Sequence, residues 1–257
     1  MRLTYNFDTW DGATITSSSE AATDLGDDNV VDYQPSKIWR TNSAQAEWIK
    51  FDLGAATLLT CLGMFNFNLT ETATVTLEAH ASDSWGAPSF SEVLAVATDS
   101  DSVVYKKLIW FGSETYQWWR ITLDDYPANT DNYLQIGRIA AGAYYEPSRN
   151  IADNYAFTPN DPSERERVPG AFTPSRSRGR YDTIAVDIPF VDRTQRDKWN
   201  TIFRKIGNEN PVILSLDPTD QPTVDSWYCQ LGTPLSTVAR LADYFDVGRL
   251  VWEEKVR

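Results

Sequence analysis

The stretch Trp48-Ile49-Lys50-Phe51-Asp52-Leu53-Gly54 constrains the chain more than any other. Trp48, Phe51 and Leu53 mix alternation with a short apolar run, as in a half-buried β-strand, and Gly54 marks a turn behind it. Just upstream, Trp39 stands in a polar, turn-rich segment, where one large aromatic suits the plug at the end of a β-sandwich. Trp39 and Trp48 are both expected in the core. Further strands are expected near 58–66, 73–80, 91–97, 103–111, 116–123 and 134–145, and the run Thr74–Ala79 is strongly β-branched. Trp85-Gly86-Ala87-Pro88 and the segment Asp124–Asn132 are dense in turn formers and read as loops.

Residues 147–180 interrupt this pattern. Pro147, Pro159, Pro162, Pro169 and Pro174 punctuate them, with Ser and Arg between. Little in them can build a core, so they read as a linker or an extended arm. Arg165, Arg167, Arg176, Arg178 and Arg180 belong to a solvated loop or to an arm that pairs with an acidic neighbour. The strand Thr183–Phe190 follows, and then a helix capped by Asp192 or Thr194. Trp199, Ile202, Phe203 and Ile206 recur there at i, i+3, i+4 and i+7, and Gly207 is the natural stop. Ile184, Val186, Val212 and Leu214 are its expected sheet partners, with Arg196 and Arg204 turned outward. Strands at 212–216, 226–231 and 244–254 complete a mainly β reading in three parts: 1–146, 147–180 and 181–257.

The formal net charge is −13. Residues 1–150 carry 9 Lys/Arg against 20 Asp/Glu, and residues 151–257 carry 14 against 16. That balance opposes binding to a phosphate backbone, so no nucleic-acid partner is expected. No run approaches the ~20 apolar residues of a membrane-spanning helix, and no membrane insertion is expected. Cys61 and Cys229 each sit inside an apolar run and are expected as buried thiols. His80 is the single histidine and has no nucleophile motif beside it, so neither a Ser-His-Asp arrangement nor a Cys/His metal site is indicated. Acidic residues are plentiful, but nothing singles out a pair for glycoside hydrolysis. The chain reads as non-catalytic.

Binding a sugar needs an aromatic face for the C–H side of the ring, with amides or carboxylates for its hydroxyls. Tyr33, Trp85 and Tyr126 are the loop aromatics that could supply it, or they are lids on the sandwich or subunit contacts.

The ordered set of the Asp32 turn, Trp39, the Trp48–Gly54 strand and Gln117-Trp118-Trp119-Arg120-Ile121 resembles the discoidin-like family, the galactose-binding sandwich, over residues 25–146. The resemblance implies an N-terminal jelly roll and a site for a structural Ca²⁺ formed by Asp32, Thr41 and Glu146; otherwise no cofactor is implied. Tyr33 stands where the family's turn often has glycine. The C-terminal order of strand, one helix and further strands is similar to the tail-tube-like β-barrel of tailed-phage distal tail and baseplate proteins. Together the two resemblances imply a structural component of a phage or prophage-derived baseplate or tail tip. It would form a ring of its own copies, contact other tail proteins, and present the sandwich to a cell-surface glycan. Met1–Asn6 lacks the apolar core of a signal peptide, so such a protein would be made in the host cytoplasm and leave in the virion tail. The alternative is a non-catalytic carbohydrate-binding module of a bacterial surface or secreted system.

Overall fold

The computed structural model describes residues 1–94, 106–149, 151, 155–165, 175–176, 179–220, 225–241 and 243–255. The ends of the expected strands 91–97 and 103–111 and much of the expected linker, including Arg167 and Arg178, lie outside them. The chain is mainly β and forms two compact units. The N-terminal unit comprises Arg2–Tyr145 together with Ile213–Ser226, a segment expected in the C-terminal domain.

Nine strands belong to the first part of the chain: β1 (Arg2–Thr4), β2 (Thr14–Ser17), β3 (Trp39–Arg40), β4 (Glu47–Phe67), β5 (Thr74–His80), β6 (Phe90–Leu94), β7 (Lys106–Asp124), β8 (Gln135–Gly142) and β9 (Tyr144–Tyr145). The short helix α1 (Asp8–Asp11) precedes β2. An antiparallel sheet runs β3-β8-β4-β7-β5-β6, with β2 on the free side of the first part of β4. Two strands were expected where β4 is one. The chain does not turn back at Gly54. It adopts φ +73° there, which suits a residue without Cβ, and the pairing with β7 resumes at Thr57 after a register break. Likewise β7 joins the two strands expected near 103–111 and 116–123.

Both halves of β4 enter one core. Ile49, Phe51 and Leu53 come from the first, Leu59, Leu62 and Met64 from the second, and Trp10, Trp39, Trp119 and Ile121 fill the space between layers. The second half of β4 is buried on both faces. Gly63 faces Ile213, and a Cβ at Gly63 would lie 3.0 Å from Ile213 Cδ1. β14 (Val212–Ser215) carries Ile213 and pairs with β1, which pairs with β9. Cys61 is buried in this layer, and burial pushes its thiol far above the ordinary range.

Trp39 is fully buried, and its indole N–H donates to the Ser19 carbonyl at 3.0 Å. Trp48 is not a core residue. Ile49 and Phe51 point inward, so the two-residue period of the pleat sends Trp48, Lys50 and Asp52 to the other face. The buried Glu47 carboxylate at the start of the strand is bonded by the hydroxyls of Ser18 and Ser19.

One charge lies deep in the unit. Arg138 on β8 is fully buried and pairs with Asp11 of α1 at 2.8 Å. Its guanidinium lies 5.3 Å from the Tyr33 ring and 5.7 Å from the Phe7 ring. Next to it, the Pro35 loop closes so tightly on Gly137 that a Cβ there would lie 1.9 Å from the Pro35 oxygen.

The C-terminal unit holds β10 (Ala156–Asn160), β11 (Glu164–Arg165), β12 (Ser175–Arg176), β13 (Tyr181–Asp192), β15 (Ser226–Leu231), β16 (Thr237–Leu241) and β17 (Tyr244–Glu254), with helix α2 (Arg193–Ile206). Residues 156–160, within the expected linker or arm, pair along β13 from Ala156↔Ala185 to Asn160↔Tyr181. Among the described residues the strand order is the open path β10-β13-β17-β15, and β16 pairs with β17. The Asp192 carboxylate caps α2 by accepting from Gln195 N at 2.8 Å, and Gly207 at φ +56° ends it. Trp199, Ile202 and Ile206 are buried, and α2 lies against β13 and β17. Leu214, expected among its partners, stands opposite Leu3 of β1. Arg196 does not extend into solvent but lies over the Phe245 ring at 4.4 Å.

The two tryptophans therefore separate in a denaturation experiment. Trp39→Ala should lose about 3–5 kcal/mol, as for a core aromatic. Trp48→Ala should lose about 1 kcal/mol or less, in the range of surface changes. Equal losses in urea midpoint would place Trp48 in the core after all. Asp11→Asn leaves the Arg138 charge buried without a counter-ion and should cost about 3 kcal/mol; an unchanged midpoint would show that the pair does not fasten α1.

Candidate functional site: the outward face of the N-terminal sheet

The face of β4, β7 and β5 opposite the core is set out in rows by antiparallel register. Lys50, Arg120 and Glu78 form one row. Asp52, Trp118 and His80 form the next, and Trp48, Thr122 and Thr76 flank the first on its other side. Trp118 belongs here because Trp119 is buried in the core and successive side chains alternate. All nine side chains are partly exposed.

The charged members pair off. Arg120 meets Glu78 at 2.7 Å, and Lys50 meets Asp83 at 3.0 Å. Lys50 Nζ also lies 4.9 Å from the centre of the Trp48 ring. The loop after β5 brings Trp85 over this row, with the Arg120 guanidinium 4.5 Å from the ring centre. The Trp85 indole N–H donates to Asp83, so one carboxylate holds both Lys50 and Trp85. These hydrogen bonds, from Lys50 first and from Trp85 second, hold the Asp83 carboxyl below the usual carboxylate range. Asp52 accepts from Gln117 Nε2 at 2.7 Å and from Gly54 N at 2.9 Å. His80 Nδ1 lies 3.0 Å from the Ser82 carbonyl oxygen. The result is a set of aromatic surfaces and planar polar groups in fixed orientations, with both cations, Lys50 and Arg120, each paired to a carboxylate.

Of the sugar-binding candidates named from sequence, Trp85 stands on this face. Tyr33 is half-buried beside Arg138 and engages Asp11; burial first, and then the Asp11 charge, push its phenol above the ordinary value. Burial likewise raises the Asp11 carboxyl, and Arg138 opposes that rise. Tyr126 is exposed in a loop anchored by the buried Asp125, which accepts from Thr70 N at 2.8 Å. The three aromatics thus stand in three different surroundings. Asp32 is paired with Lys37 and accepts from Gln34 N at 2.8 Å. Thr41 is buried, donates to the Ser43 carbonyl and accepts from Leu134 N at 2.8 Å. Glu146 is exposed and opens the C-terminal unit. Among the described residues no cluster of three His, Cys, Asp or Glu side chains is placed to hold a metal ion.

No protein-family model and no curated protein matches the chain. Solved structures do. Chitosan-binding module 2 of a chitosanase/glucanase from Paenibacillus sp. IK-5, in complex with chitotriose, is 15% identical, with a TM-score of 0.40 over 50% of this chain and 95% of that one. The lectin domain of lectinolysin, complexed with Lewis B antigen, is 13% identical, with a TM-score of 0.40 over 51% and 93%. A Ruminococcus gnavus fucosidase in complex with fucose is 17% identical, with a TM-score of 0.43 over 55% of this chain and 27% of the enzyme. The strand pairing itself defines the fold.

Asp83 titrates below its unfolded value, so its stabilising effect is complete above the ordinary Asp pKa of about 3.9 and is lost as pH falls through the depressed one. Trp85 fluorescence, taken as the difference between the parent protein and Trp85→Phe, should be flat from pH 7 to about pH 4 and change only below that. Asp83→Asn should remove the low-pH step. A step centred near pH 6 would mean that another group holds the indole.

Proposed function

We propose that the chain is a non-catalytic carbohydrate-binding protein, and that the outward face around Trp48, Trp85 and Trp118 is its binding surface. One observation carries the reading: three partly exposed indoles share a sheet face with carboxylate, ammonium and guanidinium groups that are already oriented by one another. Indoles cover the C–H faces of sugar rings, and planar polar groups match vicinal hydroxyls. Orientation before binding reduces the ordering cost. The carboxylates of this face act as acceptors in ion pairs and hydrogen bonds, which suits binding rather than bond cleavage.

The full chain on a glycan array should retain at least one glycan class. Trp85→Ala with Trp118→Ala should weaken that binding at least tenfold while leaving the melting temperature within a few degrees. Retention unaffected by the double change would overturn the site, and no retention of any glycan would overturn the reading.

A second reading, assembly into a homo-oligomer as in the baseplate-type structural role the sequence resembles, is supported by a separate feature. β16 is exposed along its length beyond Thr237 and carries Val238 and Leu241 at 54% and 65% exposure, with Tyr244 close by in sequence. Among the described residues β16 pairs with β17 alone, and an edge strand with exposed apolar side chains is a template for pairing with another chain. Light scattering should show a multimer that Leu241→Lys with Val238→Lys returns to a monomer; a parent protein monomeric up to millimolar concentration would sink this reading.

A further inference from the structure

The geometry points to a linear, uncharged oligosaccharide of at least three units lying along the strands as the ligand of this face, an inference that rests on the carbohydrate-binding reading. The argument starts from register. Trp48 stands opposite Thr122, and Trp118 stands opposite Asp52 on the neighbouring strand, so one complete row separates them. That row is Lys50, Arg120 and Glu78, and Arg120 carries Trp85 upon it. Outward rows recur every two residues, or about 6.6 Å, so Trp48 and Trp118 lie about 13 Å apart along the strand direction. The three indoles therefore mark three consecutive rows. A single sugar ring covers one indole, so a monosaccharide or a branched terminal sugar engages one row and leaves the others bare. A chain running with the strands meets all three.

The charge of the partner follows from the pairs. Lys50 is neutralised by Asp83, and Arg120 by Glu78. A sulfate or a uronic carboxylate would meet cations whose charge is already offset by Asp83 and Glu78, and would lie close to those carboxylates, one of which also positions the Trp85 indole. Asp52 adds a further negative group to the same face. Hydroxyls need no unpaired cation, because a paired carboxylate still has acceptor sites and a paired guanidinium still has donors.

Calorimetry with the full chain tests this. The probes are gluco-, manno-, xylo- and chito-oligosaccharides of one to six units, carboxylated and sulfated linear polymers, and an array of terminal mono- and disaccharides. One neutral series should gain at least tenfold in affinity from two units to four. That affinity should change less than twofold between low salt and 0.5 M salt, and should fall at least fivefold in each of Trp48→Ala, Trp85→Ala and Trp118→Ala. Trp48→Tyr keeps a ring on that row and should retain most of the affinity, which separates a lost platform from a damaged fold. Preference for a charged polymer, or equal affinity for terminal sugars and long chains, would overturn the inference and leave the carbohydrate-binding reading standing. If no probe of any kind binds, that reading fails and the inference falls with it.

Discussion

The alternation along β4 from Trp48 to Leu53 is the constraint on which the N-terminal unit depends. Ile49, Phe51 and Leu53 enter the core, and Trp48, Lys50 and Asp52 do not. A slip of one residue would put Lys50 and Asp52 among Trp10, Trp119 and Ile121, where an unpaired charge is costly. The core thereby fixes the register, and the register places Lys50 beside Arg120 and Asp52 beside Trp118. The outward face is the reverse side of the same decision. Its precision comes from packing on the opposite side of the sheet, not from its own hydrogen bonds alone.

Arg138 performs a different task. A buried ion pair often adds little net stability, because desolvation offsets much of the attraction. Its value lies in selecting one arrangement. The guanidinium meets its counter-ion only when α1 brings Asp11 to it, and the Pro35 loop places the Tyr33 ring alongside. Gly137 next to it admits the Pro35 carbonyl at a distance no side chain would allow. These contacts tie two sequence-distant segments, α1 and the Pro35 loop, to β8, the strand that borders the second half of β4.

What was legible in the sequence was what is encoded locally. The helix stripe Trp199, Ile202, Phe203 and Ile206 and its glycine stop correspond to α2, because helical periodicity depends on the helix alone. Trp39, whose buried indole N–H finds the Ser19 carbonyl in the fold, reads correctly as a plug. Trp48 does not, since an aromatic that begins a strand fits either face until the inward residues are counted from Ile49. The site was mostly hidden for a related reason. Trp85 was visible as a loop aromatic, but Trp118, Arg120, Lys50 and Glu78 meet only through pairings between strands far apart in sequence. Arg138 does carry a local signal: it is a lone charge inside the apolar run from Ile136 to Ala143. The prolines obscure strand β10 in the sequence, yet Pro159 is tolerated because, among the described residues, β10 has a strand on only one side.

The electrostatics of the whole chain and of the candidate face point the same way. The first 150 residues carry a net charge of −11, and that field disfavours the approach of polyanions from a distance. Close to the face the field is local, because Lys50–Asp83 and Arg120–Glu78 are nearly closed dipoles. What these pairs contribute is rigidity. Asp83 joins Lys50 to the Trp85 N–H, and Arg120 joins Glu78 to the Trp85 ring, so the indole is held at its edge and on one face. A ring fixed in this way keeps its conformational freedom low in the unbound protein and loses little more when a ligand arrives. Affinity on such a surface comes from apolar contact and from hydroxyls fitted to groups that are already in place. It needs no net charge on the partner, and the charge pairs on the face are better understood as scaffolding for the aromatic rings than as the elements that attract a ligand.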